Sequence, residues 1–411
     1  MSKQDDERFI ITVKSNNKDL LAFTKLVSIR KKRFKEAPST PITTDPINEL
    51  AQKLHPDRQH LVISEIKEET KSTKTFKLVP DPDSTTEGLA YFRAGQYLSL
   101  KVDVNGVDIT RPYSISSSPM DSFNGFYEIT IKKAEDGFLT EYIWDNWKLG
   151  TKVVSSEPSG NFFYDNLRDL KNIVGIGGGS GITPFRSIAR QIAEGKLDIN
   201  LTIIYGCSEE DDIIFYDELK ELEKQHPDKI KLVIVLSCEK ITLEECEQGF
   251  ITADIIKKYA DTNNSSFFIC GPQVMYNFID KEIEQLNLTR KRIRKEVYGE
   301  IKDISDFPGF PNKVVGKTFK IKVGIGNQIK EIPAISTETV TVAMERAKLV
   351  PPSSCRSGEC GICRSLLVSG DVFISPIIDG RRAADKKFNF FYPCSSYPIT
   401  DLEIIVPRSI G

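Results

Sequence analysis

Four cysteines near the C-terminus constrain this chain more than any other feature. They are spaced Cys355-x4-Cys360-x2-Cys363, with thirty residues before Cys394. Three thiolates from one tight loop, joined by a fourth from elsewhere in the chain, match the spacing that gathers a 2Fe–2S cluster. Gly358 and Gly361 let such a loop curl with its N–H groups turned inward, and Arg356 adds positive charge beside it. Zinc is the rival metal, but the paired C-x2-C knuckles usual in zinc sites are missing. The other cysteines, Cys207, Cys238, Cys246 and Cys270, lie far apart. The stretch from Met1 to Arg8 lacks the apolar core of a signal peptide, so a reducing, cytoplasmic setting is expected. There, clustered cysteines read as metal ligands rather than disulfides.

At 411 residues the chain needs more than one core. Its formal net charge of −2 gives no basic surplus for nucleic acid or anionic membrane. Its apolar runs are strand-sized, so no membrane span is expected. Residues 1–56 read as a partly ordered extension. It carries the basic run Arg30-Lys31-Lys32-Arg33, a turn-rich Pro38-Ser39-Thr40-Pro41, and a short helix over Ile47–Leu50 capped by Asp45 with Pro46 first. Residues 57–166 carry short, often alternating strand runs at Leu61, Lys74, Tyr97 and Tyr127, and a helix over Thr140–Trp147. This predicts a small antiparallel β-barrel. Residues 167–302 alternate apolar strands with helices, which predicts an α/β domain around a parallel sheet. Residues 303–317 read as a linker. Residues 318–411 read as a hairpin, a helix over Thr339–Lys348, the cysteine loop and a closing strand at Leu402–Val406.

Two further motifs carry chemistry. Arg111-Pro112-Tyr113-Ser114 ends a strand run of the barrel. A flavin needs a cation for its phosphate, an aromatic face for its ring and a donor near its reactive nitrogen, and Arg, Tyr and Ser on one extended segment can supply these. The same four residues also describe an ordinary strand end. Between Gly175 and Pro184, Gly177, Gly178, Gly179 and Gly181 follow a strand and open a helix. Such a loop lets a diphosphate approach the backbone. Thr183 reads as the N-cap with Pro184 at the first helical position. The loop is not G-x-G-x-x-G, because Ser180 occupies the sixth position.

The run Pro352–Cys363, with Tyr392-Pro393-Cys394 downstream, resembles plant-type ferredoxin, which implies an α+β β-grasp fold for the last domain. From about Leu61 to Glu300 the chain resembles the ferredoxin–NADP reductase superfamily. That resemblance implies that Arg111 and Pro112 lie at the flavin phosphate, Tyr113 packs on the isoalloxazine and Ser114 faces N5. Gly137-Phe138-Leu139-Thr140 is similar to the family's pyrophosphate segment, placing Gly137 and Thr140 at the cofactor and favouring FAD. FMN stays open, since members with this domain order use it. Cys270-Gly271-Pro272 is similar to the segment that puts a cysteine near the nicotinamide; Cys270 is otherwise a small buried residue. Tyr298 falls where the family often stacks an aromatic on the flavin, or is a core aromatic. Ser114, Cys270 and Tyr298 are thus the catalytic candidates. Glu209, Glu210, Asp211 and Asp212 follow the second strand, with Ser208 where NADPH users often carry Arg. Their charge would repel a 2′-phosphate, so NADH is expected, with NADPH open.

The expected fold is therefore multidomain: a flavin-binding β-barrel, a nucleotide domain and a ferredoxin-like domain. The expected function is an oxidoreductase taking electrons from NADH through FAD and a 2Fe–2S cluster to a partner redox protein. That partner could be an oxygenase component, a hybrid-cluster protein or another client. The alternatives are a flavoenzyme reducing a small molecule and a redox-sensing module.

Overall fold

The computed structural model describes residues 17–39, 45–134, 137–238, 241–297, 301, 304–376 and 379–407. The chain divides after Leu50 into two compact units, each taken by itself. In the first, α1 (Asn17–Glu36) is a 20-residue helix that the sequence pattern did not lead us to expect. It forms because no Gly or Pro interrupts a run rich in Leu, Lys and Arg. α2 (Pro46–Leu54) begins as expected: Asp45 Oδ1 accepts from the amides of Ile47 (3.1 Å) and Asn48 (3.3 Å). It continues past Leu50 to Leu54.

The second unit opens with an antiparallel sheet of β1 (Gln59–Thr70), β2 (Thr73–Pro80), β3 (Tyr97–Val104), β4 (Val107–Ser114), β5 (Tyr127–Lys132) and β6 (Lys152–Ser155), in the order β4-β3-β6-β1-β2-β5. Alternation sends Leu61 and Ile63, Phe76 and Leu78, and Leu98 and Leu100 into one core. An antiparallel bridge between Ile115 and Ile129 joins the end of β4 to β5 and closes the barrel. Asn105 and Gly106, both at positive φ, make the tight β3–β4 turn. Two helices interrupt the strands, α3 (Pro119–Phe123) and α4 (Phe138–Asn146).

A parallel sheet follows: β7 (Asn172–Gly178), α5 (Thr183–Ala193), β8 (Asn200–Cys207), α6 (Tyr216–Gln225), β9 (Ile230–Leu236), β10 (Cys246–Gln248), α7 (Ala253–Tyr259), β11 (Ser265–Gly271), α8 (Gln273–Glu284) and β12 (Ile293–Val297). The order is β10-β9-β8-β7-β11-β12. Successive strands run outward from β7 on one side and then return to its other side with β11. The crevice between β7 and β11, at their carboxyl ends, is where such sheets bind ligands.

The last sheet runs β14 (Gln328–Ile335), β13 (Thr318–Ile325), β19 (Leu402–Val406), β15 (Ser365–Ser369), β17 (Phe390–Phe391). The final strand lies parallel to β13, under α9 (Val340–Arg346), whose Val340, Ala343 and Met344 are buried against it. This is the β-grasp arrangement. β16 (Val372–Ile374) pairs with β18 (Ser396–Pro398), and α10 (Ala383–Lys387) lies between them in the chain. The stretch expected as a linker is not a loose tether. Ile304, Phe310 and Val314 are buried with Tyr397, whose hydroxyl donates to the carbonyl of Ile301 at 3.0 Å.

Candidate functional site

Ser114 is the last residue of β4, paired across the ladder with Tyr97. Its hydroxyl donates to Glu296 Oε2 at 3.2 Å. Glu296 lies on β12 directly beside Cys270 of β11, and Cys270 lies beside Gly177 of β7. Two expected residues, Ser114 from the barrel and Cys270 from the parallel sheet, are thus brought to one junction. Glu296 links them, and no motif in the sequence singled it out. Its signal was the strand Ile293–Val297, where Arg294 and Glu296 alternate onto one face and both are buried. Arg111, Pro112 and Tyr113 lie on the same strand as Ser114, opposite Leu100, Ser99 and Leu98. Burial pushes the Tyr113 phenol well above its ordinary value. Tyr298 lies outside the described residues.

The glycine loop packs directly against the Cys270–Gly271 turn. A Cβ on Gly181 would stand 2.1 Å from the Cys270 carbonyl oxygen, and one on Gly178 would stand 2.6 Å from Met275 Sδ. Gly179 sits at φ +52, and its carbonyl accepts from the buried Tyr205 hydroxyl at 2.9 Å. Thr183 is not the N-cap expected from the sequence. A 3-10 turn over Gly179–Ile182 runs straight into α5, so Thr183 is its first residue and Pro184 the next. The Thr183 hydroxyl instead donates to the Ser180 carbonyl at 2.9 Å, which folds the loop. Pro272 caps α8 in extended backbone. Gly137 caps α4 without a side-chain bond, and a Cβ there would stand 2.3 Å from Thr140 Oγ1.

In the cysteine loop, Cys363 Sγ and Cys394 Sγ lie 3.4 Å apart, and the amides of Cys360 (3.4 Å) and Ser357 (3.5 Å) point at Cys355 Sγ. Arg356, Gly358 and Gly361 all adopt positive φ, which curls the chain round the sulfurs. Cys355, Cys363 and Cys394 are buried and Cys360 is half-buried. Hydrogen bonding from Cys360 and Cys394 holds the Cys355 thiol far below its ordinary value. The barrel meets this loop at Ser354, whose Oγ lies 2.8 Å from Ser99 Oγ. Burial, reinforced by the charge of Cys355 and Cys360, raises the Tyr97 phenol far above its usual range. Tyr97 and Ser354 make contacts that sequence alone did not mark.

Residues 60–164 match the oxidoreductase FAD-binding domain family, residues 176–281 the oxidoreductase NAD-binding domain family, and residues 325–398 the 2Fe-2S iron-sulfur cluster binding domain family. The chain thus carries an oxidoreductase FAD-binding domain, an oxidoreductase NAD-binding domain and a C-terminal 2Fe–2S domain, in that order. This reductase is 24% identical over 353 residues to the glycine betaine monooxygenase reductase subunit of Chromohalobacter salexigens, covering 82% of this chain and 92% of that one. It is 25% identical over 311 residues to the NADH oxidoreductase HCR of Escherichia coli, covering 76% and 88%. The solved structure of phthalate dioxygenase reductase shares its fold with a TM-score of 0.60 at 21% identity, covering 89% of this chain and 100% of that one. The chain is thus an NAD(P)H oxidoreductase with domains for FAD, a nicotinamide nucleotide and a 2Fe–2S cluster. Among the described residues no helix is long and apolar enough to cross a membrane.

The residues present fit these groups. The cysteine loop offers buried soft thiolates with backbone donors aimed at sulfur. Its sulfurs gather in one place, Cys363 against Cys394 and Cys355 against Cys360 and Cys394, as a 2Fe–2S cluster requires. The α4 N-terminus, without a side-chain cap, suits a pyrophosphate. The acidic stretch after β8 differs from its sequence-based expectation. Three of its four carboxylates are engaged: Asp211 pairs with Lys71 (2.5 Å), Asp212 accepts from Ser72 (2.9 Å) and pairs with Lys132, and Glu210 accepts from Thr242 and Leu243. Lysines offset much of their field, while Ser208 and Glu209 remain at the surface.

Proposed function

We propose that NADH gives up its hydride at the Ser114–Glu296–Cys270 junction, and that single electrons leave through Cys355, Cys360, Cys363 and Cys394. The observation that carries this is the continuity of the barrel edge. Ser114 meets Glu296 beside the nucleotide crevice, and on the strand paired with it Ser99 meets Ser354 of the cysteine loop. In this reading Arg111 holds the flavin phosphate, Pro112 belongs to the same cofactor-binding run, and Tyr113 covers the ring. Gly137 and Thr140 shape the pyrophosphate site that selects FAD over FMN. Gly177, Gly178, Gly179, Gly181, Thr183, Gly271 and Pro272 form the cradle for the dinucleotide diphosphate, with Cys270 closing it beside the nicotinamide. Tyr298 is the aromatic candidate next in sequence. The bound flavin and cluster supply the change from two-electron to one-electron chemistry, while these side chains orient the reactants and exclude water. Ser208, offering no cation to a 2′-phosphate, favours NADH over NADPH.

The acceptor is a separate redox protein, an oxygenase component in the first instance, since the names of relatives tie them to monooxygenases. Gly361 and Ile362 border a shallow hollow with Arg364, Leu366, Phe390 and Ile405, next in the chain to Cys360 and Cys363. That hollow is the exit face. A cytoplasmic setting suits both NADH as donor and thiolates kept reduced. Anaerobic NADH should bleach flavin and cluster absorbance together in freshly purified protein. Zinc in the cysteine pocket, or a cluster that NADH leaves oxidised, would overturn the reading.

A further inference from the structure

One carboxylate stands between the two halves of this electron path. Glu345 lies on α9 of the ferredoxin-like domain, with its side chain 8% exposed. Arg356, the residue after Cys355, grips it with both guanidinium arms: Nη1 to Oε1 at 2.9 Å and Nη2 to Oε2 at 3.2 Å. The Arg356 side chain is fully buried and its backbone is left-handed at φ +59. A bidentate pair of this kind fixes geometry as well as charge. The same Oε1 also lies 3.5 Å from Arg111 Nη1, on β4 of the barrel. Arg111 Nη1 in turn donates to the Thr110 carbonyl at 2.9 Å, which holds its head near the strand. Glu345 is therefore shared by a cation in the cysteine loop and a cation on the strand that ends at Ser114.

An acid buried between two arginines of different domains has a reason to be there. Taking Glu345 out of water is costly unless its lone pairs are filled, and Arg356 engages both oxygens within the domain. Arg111 adds a second cation at Oε1 when β4 of the barrel is in place. The contact beside it, Ser99 to Ser354 at 2.8 Å, is a neutral hydroxyl pair and can form in more than one orientation. Glu345 thus makes the charged and longer-range contact with the barrel.

We propose that Glu345 is a positioning residue that docks the cysteine loop onto the barrel edge carrying Arg111, and so sets the separation between the flavin and cluster sites. This rests on the assignment of those two sites above. If Arg111 also holds the flavin phosphate, flavin binding and domain docking share one cation and are thermodynamically linked.

The test compares full-length, flavin- and cluster-loaded wild type with Glu345→Gln, which keeps shape and removes charge. Hydrogen exchange should quicken in β4 and the β3 segment around Ser99 as well as in the cysteine loop, with iron content unchanged. NADH-driven reduction of cytochrome c, which draws on the cluster, should fall roughly tenfold relative to reduction of ferricyanide, within the usual range for coupling between sites. Faster exchange confined to the cysteine loop, or loss of iron, would make Glu345 a local support of the loop and overturn the docking role. Unchanged exchange in β4 would overturn it too. A wild-type protein that shows no cluster reduction by NADH would sink the site assignment itself, before any variant is compared.

Discussion

Replacing Gly181 by Ala tests whether the dinucleotide cradle depends on backbone packed against backbone. The added Cβ would meet the Cys270 carbonyl oxygen at 2.1 Å, its carbon at 2.5 Å and Gly271 Cα at 2.8 Å, where ordinary contact begins near 3.4 Å. None of these atoms belongs to a flexible side chain. The glycine loop must therefore move away from the end of β11, and the cradle must open with it. Overpacking of this kind costs about 1–3 kcal/mol. Where that strain is relieved only in the unliganded loop, it appears as a rise of roughly 5- to 150-fold in KM for NADH. Two neighbours calibrate the result. Gly178→Ala meets first the sulfur of Met275, at 2.6 Å, an adaptable side chain that can swing aside, so its effect should be smaller. Gly88→Ala meets nothing within 4 Å and should behave as wild type. NADH–ferricyanide kinetics, with thermal unfolding measured alongside, give the order. A Gly181→Ala enzyme with unchanged KM, or a Gly178→Ala enzyme more impaired than it, would refute the reasoning.

Other consequences can be checked independently. Asp169 is buried against Arg294, which reaches it with Nε (3.1 Å) and Nη2 (2.6 Å), so Asp169→Asn should lose about 3 kcal/mol or more in urea unfolding. Asp198→Asn, at an exposed pair with Lys171 and Lys229, should leave the unfolding midpoint where it was. Cys360→Ser should abolish the reduced-cluster paramagnetic signal while NADH–ferricyanide turnover persists. Burial opposes ionisation of Asp379, yet hydrogen bonds from Arg381 and Lys386 hold its carboxyl down to about 2. A depressed folded value means its stabilisation is complete above the ordinary carboxylate value near 3.8 and fades as pH falls towards 2. The stability gap between wild type and Asp379→Asn should accordingly be constant at neutral pH and narrow below about pH 4.

The three-domain fold was legible because each domain declares itself locally. Alternation at Leu61, Phe76 and Leu98, apolar runs at Asn172 and Phe267, and cysteine spacing each need only a short window. The closing strand Leu402–Val406 was read to the residue. Thr183 shows where a local rule fails: cap chemistry was present, but the loop's own 3-10 turn absorbed it. Glu296, Tyr97 and Glu345 were invisible for another reason. Each gains meaning from a partner distant in sequence, such as Ser114 for Glu296 and Arg111 for Glu345, and those pairings follow from strand register and domain docking. The carboxylates after β8 show long-range partners of the same kind. Read locally they were a field facing the nucleotide, whereas the β1–β2 turn and Lys132 engage Asp211 and Asp212.

These long-range contacts share a hub. The barrel grips the nucleotide domain along β5 and the loop before α3: Arg186 reaches Glu128 at 2.7 Å and the Ser116 carbonyl at 3.2 Å, and Ser187 donates to the Ser117 carbonyl at 2.6 Å. It grips the ferredoxin-like domain through Ser99 and Arg111. The difference in kind follows from the chemistry each junction must serve. Hydride transfer needs two rings in contact at one angle, and small misplacements there are costly. The first junction is accordingly buried, with Arg186 also bound to Glu218 at 2.8 Å, so that one guanidinium ties together the barrel, α5 and α6. A single electron needs proximity but no orbital alignment, so the second junction can rest on one shared carboxylate and a pair of hydroxyls. A charged contact of that sort holds the cysteine loop close without fixing it as rigidly, which suits the proposed exit of electrons beside Cys360 and Ile362.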